Sequence, residues 1–413
     1  MMRPKSEILT VDAASQRSAA SQRERMSVVV IEDFDVLEDY LPAWEELAAE
    51  VIEPNPFYEP WMLMPALRSF GEGKNIRLVL IFTVNEARPF GPPLLCGLFP
   101  LEMEHSYKGI PARVFSLWKH RYCCLCTPLI RTSFAAECLD AFFDWLASNP
   151  EGCSLMEFKR VGGDGPFHRL LVSHIGESDK LFFISEFYTR AVLQPASDAD
   201  EYIRAAISRE HRKDLRRRSK RFSEIGQLEY DELSPFGDID TWLEQFVRLE
   251  ASGWKSKGED GGAFAVTEAG RRFLTAAVRE AFSRGRLMML ALRLNGQPVA
   301  MKCNFLGGDG AFAFKIAFDE AYGRFSPGVQ LEIENIRRVH ARPGIRWMDS
   351  CAVPGHTMIN RLWHERRTIQ TLLVPTGKRP GDLLVSVMPL IRWLNRKLRG
   401  LSSLAGLSPR VRR

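Results

Sequence analysis

The sequence contains no apolar run of the roughly 18 residues that a membrane-spanning helix needs. The most apolar late stretch, residues 383–394, is short and is interrupted by Pro389 and Arg392. Residues 1–26 also lack the apolar core of a secretory signal. These features predict a cytoplasmic protein, with peripheral contact at the inner face of the membrane as an alternative for residues 379–413.

Several common site motifs are missing as well. The chain has no GxxxxGK[ST], HExxH or GxSxG sequence, so P-loop ATPase, zincin and α/β-hydrolase activities have no support. Cys123, Cys124 and Cys126 form a cluster, but no second pair of ligands stands at the spacing of a zinc site. Eight cysteines in 413 residues do not form the disulfide framework of a short secreted domain. The sequence therefore predicts free thiols and no bound metal.

The composition is that of an ordinary soluble globular protein, with 45% hydrophobic and 26% charged residues. At roughly 150 residues per domain, the length predicts two or three domains. Lys and Arg number 56 against 51 Asp and Glu, which gives a net charge of only +5. This small excess does not by itself indicate a nucleic-acid-binding protein, so the positions of the charges matter more.

The first half of the chain predicts a mixture of helices and strands. Residues 1–26 lack apolar periodicity and are predicted to be a disordered leader. A strand at 28–31 is followed by apolar residues at helical spacing over 37–51. Two apolar runs, 76–84 and 94–101, then flank a segment rich in Gly and Pro, which predicts a β-hairpin.

The second half repeats this order. Thr267 opens a predicted helix, and Asn295-Gly296 joins strands at 286–294 and 298–306, since this dipeptide is the strongest short hairpin signal. The repetition predicts an internal duplication and two tandem α/β units with mixed sheets. The predicted divisions are a leader at 1–26, a first unit at 27–190, a second unit at 191–378, and a basic amphipathic helix and tail at 379–413.

A strongly cationic helix follows the first unit. Ser208 is its predicted N-cap, and eight basic residues follow within thirteen positions: Arg209, Arg212, Lys213, Arg216, Arg217, Arg218, Lys220 and Arg221. Such a surface is typical of a site for a phosphorylated ligand, nucleic acid or anionic lipid. The alternative is a solvated helix that connects the two domains.

A strand, loop and helix start stand together at residues 317–339. Pro327 suits the first turn of a helix, because its missing N–H has no intrahelical partner to lose there. The free N–H groups at such a helix start bind a pyrophosphate, and Arg324 would add a charged contact. The alternative is a plain connection between a strand and a helix.

Asp349 ends a short predicted strand, and His356 follows it before a helix-like stretch at 358–367. Acidic residues at the carboxyl ends of strands are often site residues in α/β proteins. The alternatives are an aspartate that caps a helix or turn, and a loop histidine with no catalytic role.

The order of these segments carries a resemblance. The chain resembles the GNAT (general N-acetyltransferase) superfamily in four segments that occur in one order. They are the cationic helix, Gly253-Trp254-Lys255-Ser256, residues 321–328 and residues 347–350. More specifically, they are similar to its tandem-domain, CelD-like (cellulose biosynthesis) branch, which is related in architecture to the FemABX peptidyltransferases. The resemblance covers residues 28–374 and implies two tandem GNAT-like units, the second of which binds acyl-coenzyme A.

The resemblance implies a function and a set of site residues. It implies transfer of an acyl group from acetyl-coenzyme A, or another acyl-coenzyme A, to an amine or hydroxyl of a polysaccharide or cell-envelope precursor. Nucleic acid is not an expected partner. For this reaction the catalytic candidates are Asp349 or His356, which would accept the proton of the attacking ammonium group, and Tyr322, which would protonate the departing sulfur. The implied coenzyme contacts are Arg324, Ser326, Gly328 and Lys315, and the implied substrate contacts are Trp254, Lys255, Arg212 and Arg216.

Two other functions stay open at this point. One is an aminoacyl-tRNA-dependent, Fem-like transferase whose cationic helix binds RNA. The other is a non-catalytic factor in exopolysaccharide or cellulose biosynthesis.

The C-terminal stretch predicts an amphipathic helix. After Asp382 there is no acidic residue, and the basic residues are Arg392, Arg396, Lys397, Arg399, Arg410, Arg412 and Arg413. Apolar residues recur at helical spacing beside Trp393, a pattern found in helices that lie on anionic lipid. The alternative is a helix that docks on the second unit and fixes the chain end.

Overall fold

A computed structural model of the chain describes residues 26–83, 93–178, 180–252, 264 and 267–404. Met26 begins the first strand, and the rest of the predicted leader lies outside the described residues, as do Trp254 and Lys255. In the part of the chain that is described, no helix is both long enough and apolar enough to cross a membrane.

Both halves of the chain have the same order of elements: a strand, two helices, three strands, a helix, a strand, a helix and a final strand. In the first half these are β1 (Met26–Ile31), α1 (Leu41–Ala49), α2 (Pro60–Phe70), β2 (Ile76–Thr83), β3 (Leu94–Glu104), β4 (Val114–Leu117), α3 (Ala135–Ser148), β6 (Leu155–Gly162), α4 (Pro166–Glu177) and β7 (Phe183–Leu193), with a short extra strand, β5 (Leu129–Ile130), beside β3.

The second half begins with two additional helices, α5 (Ala199–Ala206) and α6 (Arg209–Ser223), and ends with another, α11 (Gly381–Leu404). Between them lie β8 (Leu228–Glu232), α7 (Ile239–Ser252), α8 (Glu268–Ser283), β9 (Leu287–Leu294), β10 (Gln297–Gly307), β11 (Gly310–Phe318), α9 (Pro327–His340), β12 (Trp347–Asp349), α10 (Thr357–Leu362) and β13 (Glu365–Pro375). The predicted duplication and the mixed α/β class are confirmed.

The described strands form one 13-stranded sheet in which the two halves exchange their last strands. Twelve strands follow the order β1-β2-β3-β4-β6-β13-β7-β12-β11-β10-β9-β8, and the thirteenth, β5, pairs with β3 beside this path. The last strand of the second half, β13, pairs with β6 of the first half, and β7 pairs with β12 of the second. The predicted boundary at residue 190 therefore falls inside a strand whose partners belong to the other half.

Each half contains one parallel pair of strands that diverges into a fork. Residues 114–116 of β4 pair with 155–157 of β6, and residues 310–312 of β11 pair with 347–349 of β12. We call the openings beyond these pairs the first fork and the second fork. Three antiparallel pairings separate β6 from β12, so the two strands run in opposite directions.

The two forks open toward each other. Leu373 of β13 pairs with Glu157 of β6 on one side and with Phe183 of β7 on the other, so Glu157 and Phe183 lie at the same position along the sheet. Asp349 of β12 pairs directly with Val192 of β7. Both openings consequently face the stretch of β7 between those two positions. The two divergence points lie nine residues apart along β7.

The halves share one hydrophobic core. The ring of Phe57, before α2, packs against Phe312 of β11 with centroids 5.6 Å apart, and Phe70 of α2 contacts Phe273 of α8 at 5.3 Å. A second buried cluster lies on the opposite face of the second half, between α5, α6, α9, α10 and strands β9–β11. This packing fixes the second fork relative to the first half.

Local signals predicted most elements, with two corrections. The predicted helix at 37–51 begins as a 3-10 turn, Phe34–Tyr40, and becomes α-helical only at Leu41. The helix-like stretch at 358–367 is wrong beyond Leu362, because Glu365 already pairs with β7 as part of β13. The predicted N-cap Ser208 and the predicted helix start at Thr267 are confirmed, since both hydroxyls accept backbone N–H groups, of α6 and α8 respectively.

Candidate functional site

The second fork leads into a tight turn and a helix start. After β11, a 3-10 turn at Glu320–Phe325 ends at Ser326, which has a φ of +57°. Such a positive φ is uncommon for a residue other than glycine, and it redirects the chain directly into α9. Pro327 occupies the first turn of α9, as predicted. The positive end of the α9 dipole therefore faces the fork.

The cationic helix α6 packs on this turn. Phe222 stacks on Phe325 with ring centroids 4.6 Å apart. Arg218 Nη1 donates to Ser326 Oγ at 2.9 Å and to the carbonyl oxygen of Arg324 at 3.3 Å. Arg218 is itself oriented by Asp214, whose Oδ2 accepts from its Nε at 2.7 Å. The helix is thus bound to the turn and is more than a connector.

Arg218 did not stand out among the eight basic residues of this helix in the sequence. Its only local signal is the i,i+4 spacing from Asp214. Arg324 is exposed, and its guanidinium lies 4.7 Å from the centre of the Phe325 ring, a cation–π contact. Two arginines and a helix N-terminus therefore concentrate positive charge around Ser326, an arrangement that binds phosphate groups.

Asp349 lies at the divergence point of the second fork and is completely buried. Its Oδ2 accepts from Arg190 Nη2 at 2.7 Å and from Arg367 Nη1 at 3.2 Å, and its Oδ1 accepts the N–H of Cys351 at 2.9 Å. Arg367 also pairs with Glu53. Burial alone would raise the pKa of Asp349, but the two guanidinium groups hold it below its usual value. This carboxylate is a poor proton acceptor near neutral pH.

A segment of the first half reaches the same place. Arg190 Nη1 donates to the carbonyl oxygen of Cys124 at 2.7 Å. The pKa of the Cys124 thiol is lowered by a hydrogen bond from Cys351 and by the charges of Arg190 and Lys315, although burial opposes this. The Lys315 ammonium lies 5.5 Å from the centre of the Tyr122 ring. Lys315 therefore points toward the first half, away from the start of α9.

Three other predicted residues have local packing or capping contacts. Tyr322 packs on Phe222 with ring centroids 5.5 Å apart. His356 caps α10, since its Nδ1 accepts the N–H of Ile359 at 3.4 Å. Gly328 lets α9 approach β11, because a Cβ there would lie 3.3 Å from the Phe318 ring. The structure thus groups Tyr322, Arg324, Ser326 and Gly328 around the turn, and Asp349 and Lys315 around Cys124.

The predicted contacts Arg212 and Arg216 line a separate cleft of about 300 Å³ between α5, α6 and α9. Its other charged residues are Asp200, Arg204 and Arg337. Arg212 is held in place by donating to the carbonyl oxygen of Ile207 at 2.6 Å. This cleft adjoins the turn through Gln330, whose Nε2 donates to the carbonyl oxygen of Phe325 at 2.8 Å.

A buried ion pair beneath α9 had no signal in the sequence. Lys302 Nζ of β10 lies 2.7 Å from Glu332 Oε2 of α9, and both side chains are almost fully buried. Asn335 donates to the other oxygen of Glu332 at 3.0 Å. The pair fixes α9, and hence its N-terminus, against the sheet. In the described part of the chain, no group of three or more His, Cys, Asp or Glu could hold a metal ion.

Comparison with known families gives one match. Residues 209–356 match the acetyltransferase (GNAT) domain. The matched segment contains the cationic helix, the turn at Ser326 and Asp349. No curated protein matches the chain.

Solved structures align with most of the chain at low sequence identity. FemX aligns with a TM-score of 0.51 and 8% identity, covering 84% of this chain and 98% of its own. A conserved protein of unknown function from Bacteroides thetaiotaomicron gives 0.49 and 12%, covering 81% and 97%. A tandem GNAT protein from the clavulanic acid biosynthesis pathway gives 0.42 and 10%, covering 85% and 99%. At these identities, the similarity to FemX supports a shared fold and says nothing about substrates.

Proposed function

We propose that this protein is an acyltransferase that takes an acyl group from acyl-coenzyme A at the second fork and transfers it to an amine or hydroxyl. The observation that supports this most directly is the cationic turn at the start of α9. Arg218, Arg324 and the N-terminus of α9 surround Ser326 within the segment that matches the acetyltransferase domain. Acetyl-coenzyme A is the first donor to test.

The residues of the turn fit the pyrophosphate of coenzyme A. Arg218 and Arg324 would hold its phosphate oxygens together with the N-terminus of α9. When bound, the coenzyme supplies an acyl group activated as a thioester. Tyr322, on the same turn, remains our proposed proton donor to the departing sulfur.

The charged groups around Asp349 form a compensated set of ion pairs. Arg190 and Arg367 are each paired with a carboxylate, and Asp349 holds both guanidinium groups in place. Because the two guanidinium groups are balanced by Asp349 and Glu53, the set adds no net positive charge to the second fork. We therefore propose a positioning role for Asp349 instead of the proton acceptor expected from the sequence. His356 or a water molecule is left to take the proton.

Arg324→Ala and Arg218→Ala should each weaken binding of coenzyme A about tenfold, because a hydrogen bond to a charged group contributes about 1.5–3 kcal/mol. Isothermal titration calorimetry with coenzyme A measures this directly. Arg221→Ala is the matched control, since Arg221 is an exposed cation on the same helix. Affinities that stay within twofold of the wild type in both variants would remove the turn from the coenzyme site.

The acceptor class follows only from the resemblance to the CelD-like branch. On that basis we propose a polysaccharide or cell-envelope precursor as acceptor and the cytoplasm as location. The Fem-like alternative, an aminoacyl-tRNA donor, predicts that tRNA binds α6 and that its affinity falls steeply with salt. A non-catalytic factor predicts no binding of any acyl-coenzyme A.

Helix α11 is docked on the sheet along one side and exposes apolar residues along the other. Val385 and Met388 are buried against the sheet, and Arg392 donates to the carbonyl oxygen of Ile184 at 3.0 Å. The opposite side exposes Leu383, Leu390, Trp393 and Leu394. A docked helix with an apolar outer stripe, in a basic part of the chain, supports our proposal of peripheral contact with anionic membrane.

Leu390→Glu should reduce co-sedimentation of the full chain with phosphatidylglycerol vesicles by several-fold, since it places a negative charge in the exposed stripe. Phe236→Ser is the matched control, because Phe236 is 99% exposed and lies outside α11. If the wild type does not sediment with these vesicles at low salt, α11 is a packing element only.

A further inference from the structure

A polar cleft of about 640 Å³ opens at the first fork, and no part of the coenzyme site accounts for it. It lies beyond the point where β4 and β6 diverge, and its floor includes β7 and β13. Its lining residues are Glu104, Tyr107, Lys108, Lys119, Glu157, Lys159, Arg160, Ser185, Glu186 and Thr371.

The cleft lies on the same face of the central strands as the side chain of Arg190. In the register of β7 and β13, Glu186 lies opposite Thr371, and four residues further along β7, Arg190 lies opposite Arg367. Alternate strand residues share a face, and four residues span about 13 Å. The cleft and the buried Asp349 pair are therefore at two ends of the same surface, with Tyr188 between them.

Four cations and three carboxylates line the cleft, and the ion pairs among them are those of Lys159. Lys159 Nζ lies 2.9 Å from Glu104 Oε1 and 3.6 Å from Glu157 Oε2. Glu186 accepts a hydrogen bond from the Thr371 hydroxyl at 3.3 Å. Lys108, Lys119 and Arg160 form no ion pair within the described ranges, and the Lys108 ammonium lies over the Tyr107 ring, 5.2 Å from its centre.

The backbone directs Arg160 into the cleft. Strand β6 has a β-bulge at this point, because its two residues Lys159 and Arg160 lie opposite the single residue Thr371 of β13. Arg160 has a φ of +46°, a strained conformation for any residue with a Cβ. The Thr371 hydroxyl accepts the N–H of Arg160 at 3.2 Å and holds this geometry. Bulges of this kind re-aim side chains next to functional sites.

We propose that Lys119 and Arg160 bind the anionic end of the acyl acceptor, so that the acceptor is an amine carrying a carboxylate or phosphate at its other end. The anion anchors the molecule in the first fork, and its amine extends along β7 to the acyl group in the second fork. This inference rests on the proposed acyltransferase function, and it adds the chemical class of the acceptor.

The test compares amines that differ only in the anion. The full-length protein is given acetyl-coenzyme A and ε-aminocaproate, ω-aminooctanoate or ω-aminododecanoate, and in parallel the alkylamines of the same lengths. Release of coenzyme A thiol gives kcat/KM. For at least one length, we expect the amino acid to exceed its alkylamine by about tenfold or more, from charge-assisted contacts with the carboxylate.

Lys119→Ala and Arg160→Gly should each remove most of this preference and leave the KM for acetyl-coenzyme A unchanged. Glycine at position 160 tolerates the positive φ, so the bulge persists. Arg248→Ala, which removes an exposed cation of α7, is the control for a lost charge. A wild type without the preference, or variants that retain it, would overturn the assignment.

Two further outcomes separate this inference from the proposed function. If calorimetry detects acetyl-coenzyme A but no amino acid releases thiol, the acceptor class is rejected and the coenzyme site stands. If acetyl-coenzyme A does not bind, the proposed function fails, and the cleft is judged by calorimetric binding of ε-aminocaproate alone. Binding that is lost in Lys119→Ala would then support the anion site, and no binding would overturn it.

Discussion

Asp349→Asn should lower the free energy of unfolding by about 3–5 kcal/mol, because removing one partner of a buried ion pair leaves the other charge uncompensated. Arg190 is the group left behind, since its side chain is almost as buried as Asp349 itself and lies 2.7 Å from it. Arg367 keeps its second partner, Glu53. Urea unfolding measures the loss as a lower midpoint with an unchanged slope.

The double variant Asp349→Asn with Arg190→Gln should be less destabilised than the sum of the two single variants, because it removes both charges. Asp231→Asn is the control, since it breaks a partly exposed pair with Arg293 and should cost no more than about 1 kcal/mol. An Asp349→Asn protein that is inactive yet as stable as the wild type would favour the proton-acceptor role over the positioning role.

The destabilisation by Asp349→Asn should depend on pH. The pKa of Asp349 in the folded protein is below its usual value of 3.8, so its stabilising effect is complete above that value. The effect is lost as the pH falls through the lowered pKa. The difference in unfolding free energy between wild type and variant should therefore be constant from pH 7 down to about pH 5 and then shrink in stronger acid.

Glu332→Gln should also lower the free energy of unfolding by about 3–5 kcal/mol, because it leaves the buried ammonium of Lys302 without a counter-charge. It should weaken coenzyme A binding as well, since the pair holds α9 and the turn at Ser326 against the sheet. Urea unfolding and calorimetry with coenzyme A measure the two effects.

Glu334→Gln provides the comparison on the same helix. Glu334 pairs with Arg338 near the surface at 2.7 Å, and its loss should cost no more than about 1 kcal/mol. Equal stability of the two variants would mean that the Lys302 pair contributes no more than a surface ion pair. If the Glu332→Gln protein is destabilised but binds coenzyme A with normal affinity, the ion pair stabilises the fold and does not position the coenzyme site.

Part of the candidate site was predictable because its geometry is local. Pro327 after a strand and a short loop indicated the helix start, and the structure places it in the first turn of α9. Ser208 indicated the start of the cationic helix in the same way. Which of its arginines reaches the turn was not predictable, because Arg218 and Arg324 are brought together by the stacking of Phe222 on Phe325.

The sequence by itself determined the hairpins, the starts of several helices and the repeated order of helix and hairpin, because these depend on periodicity and on residues a few positions apart. Only the tertiary structure decided the exchange of β7 and β13, which depends on pairing between distant strands. That exchange places Arg190 on Asp349, 159 positions later, and turns the two forks toward each other. Ion pairs formed in this way have no local signature in the sequence, since each partner by itself is an ordinary charged residue in a strand. The same holds for clefts between strands that are distant in the sequence.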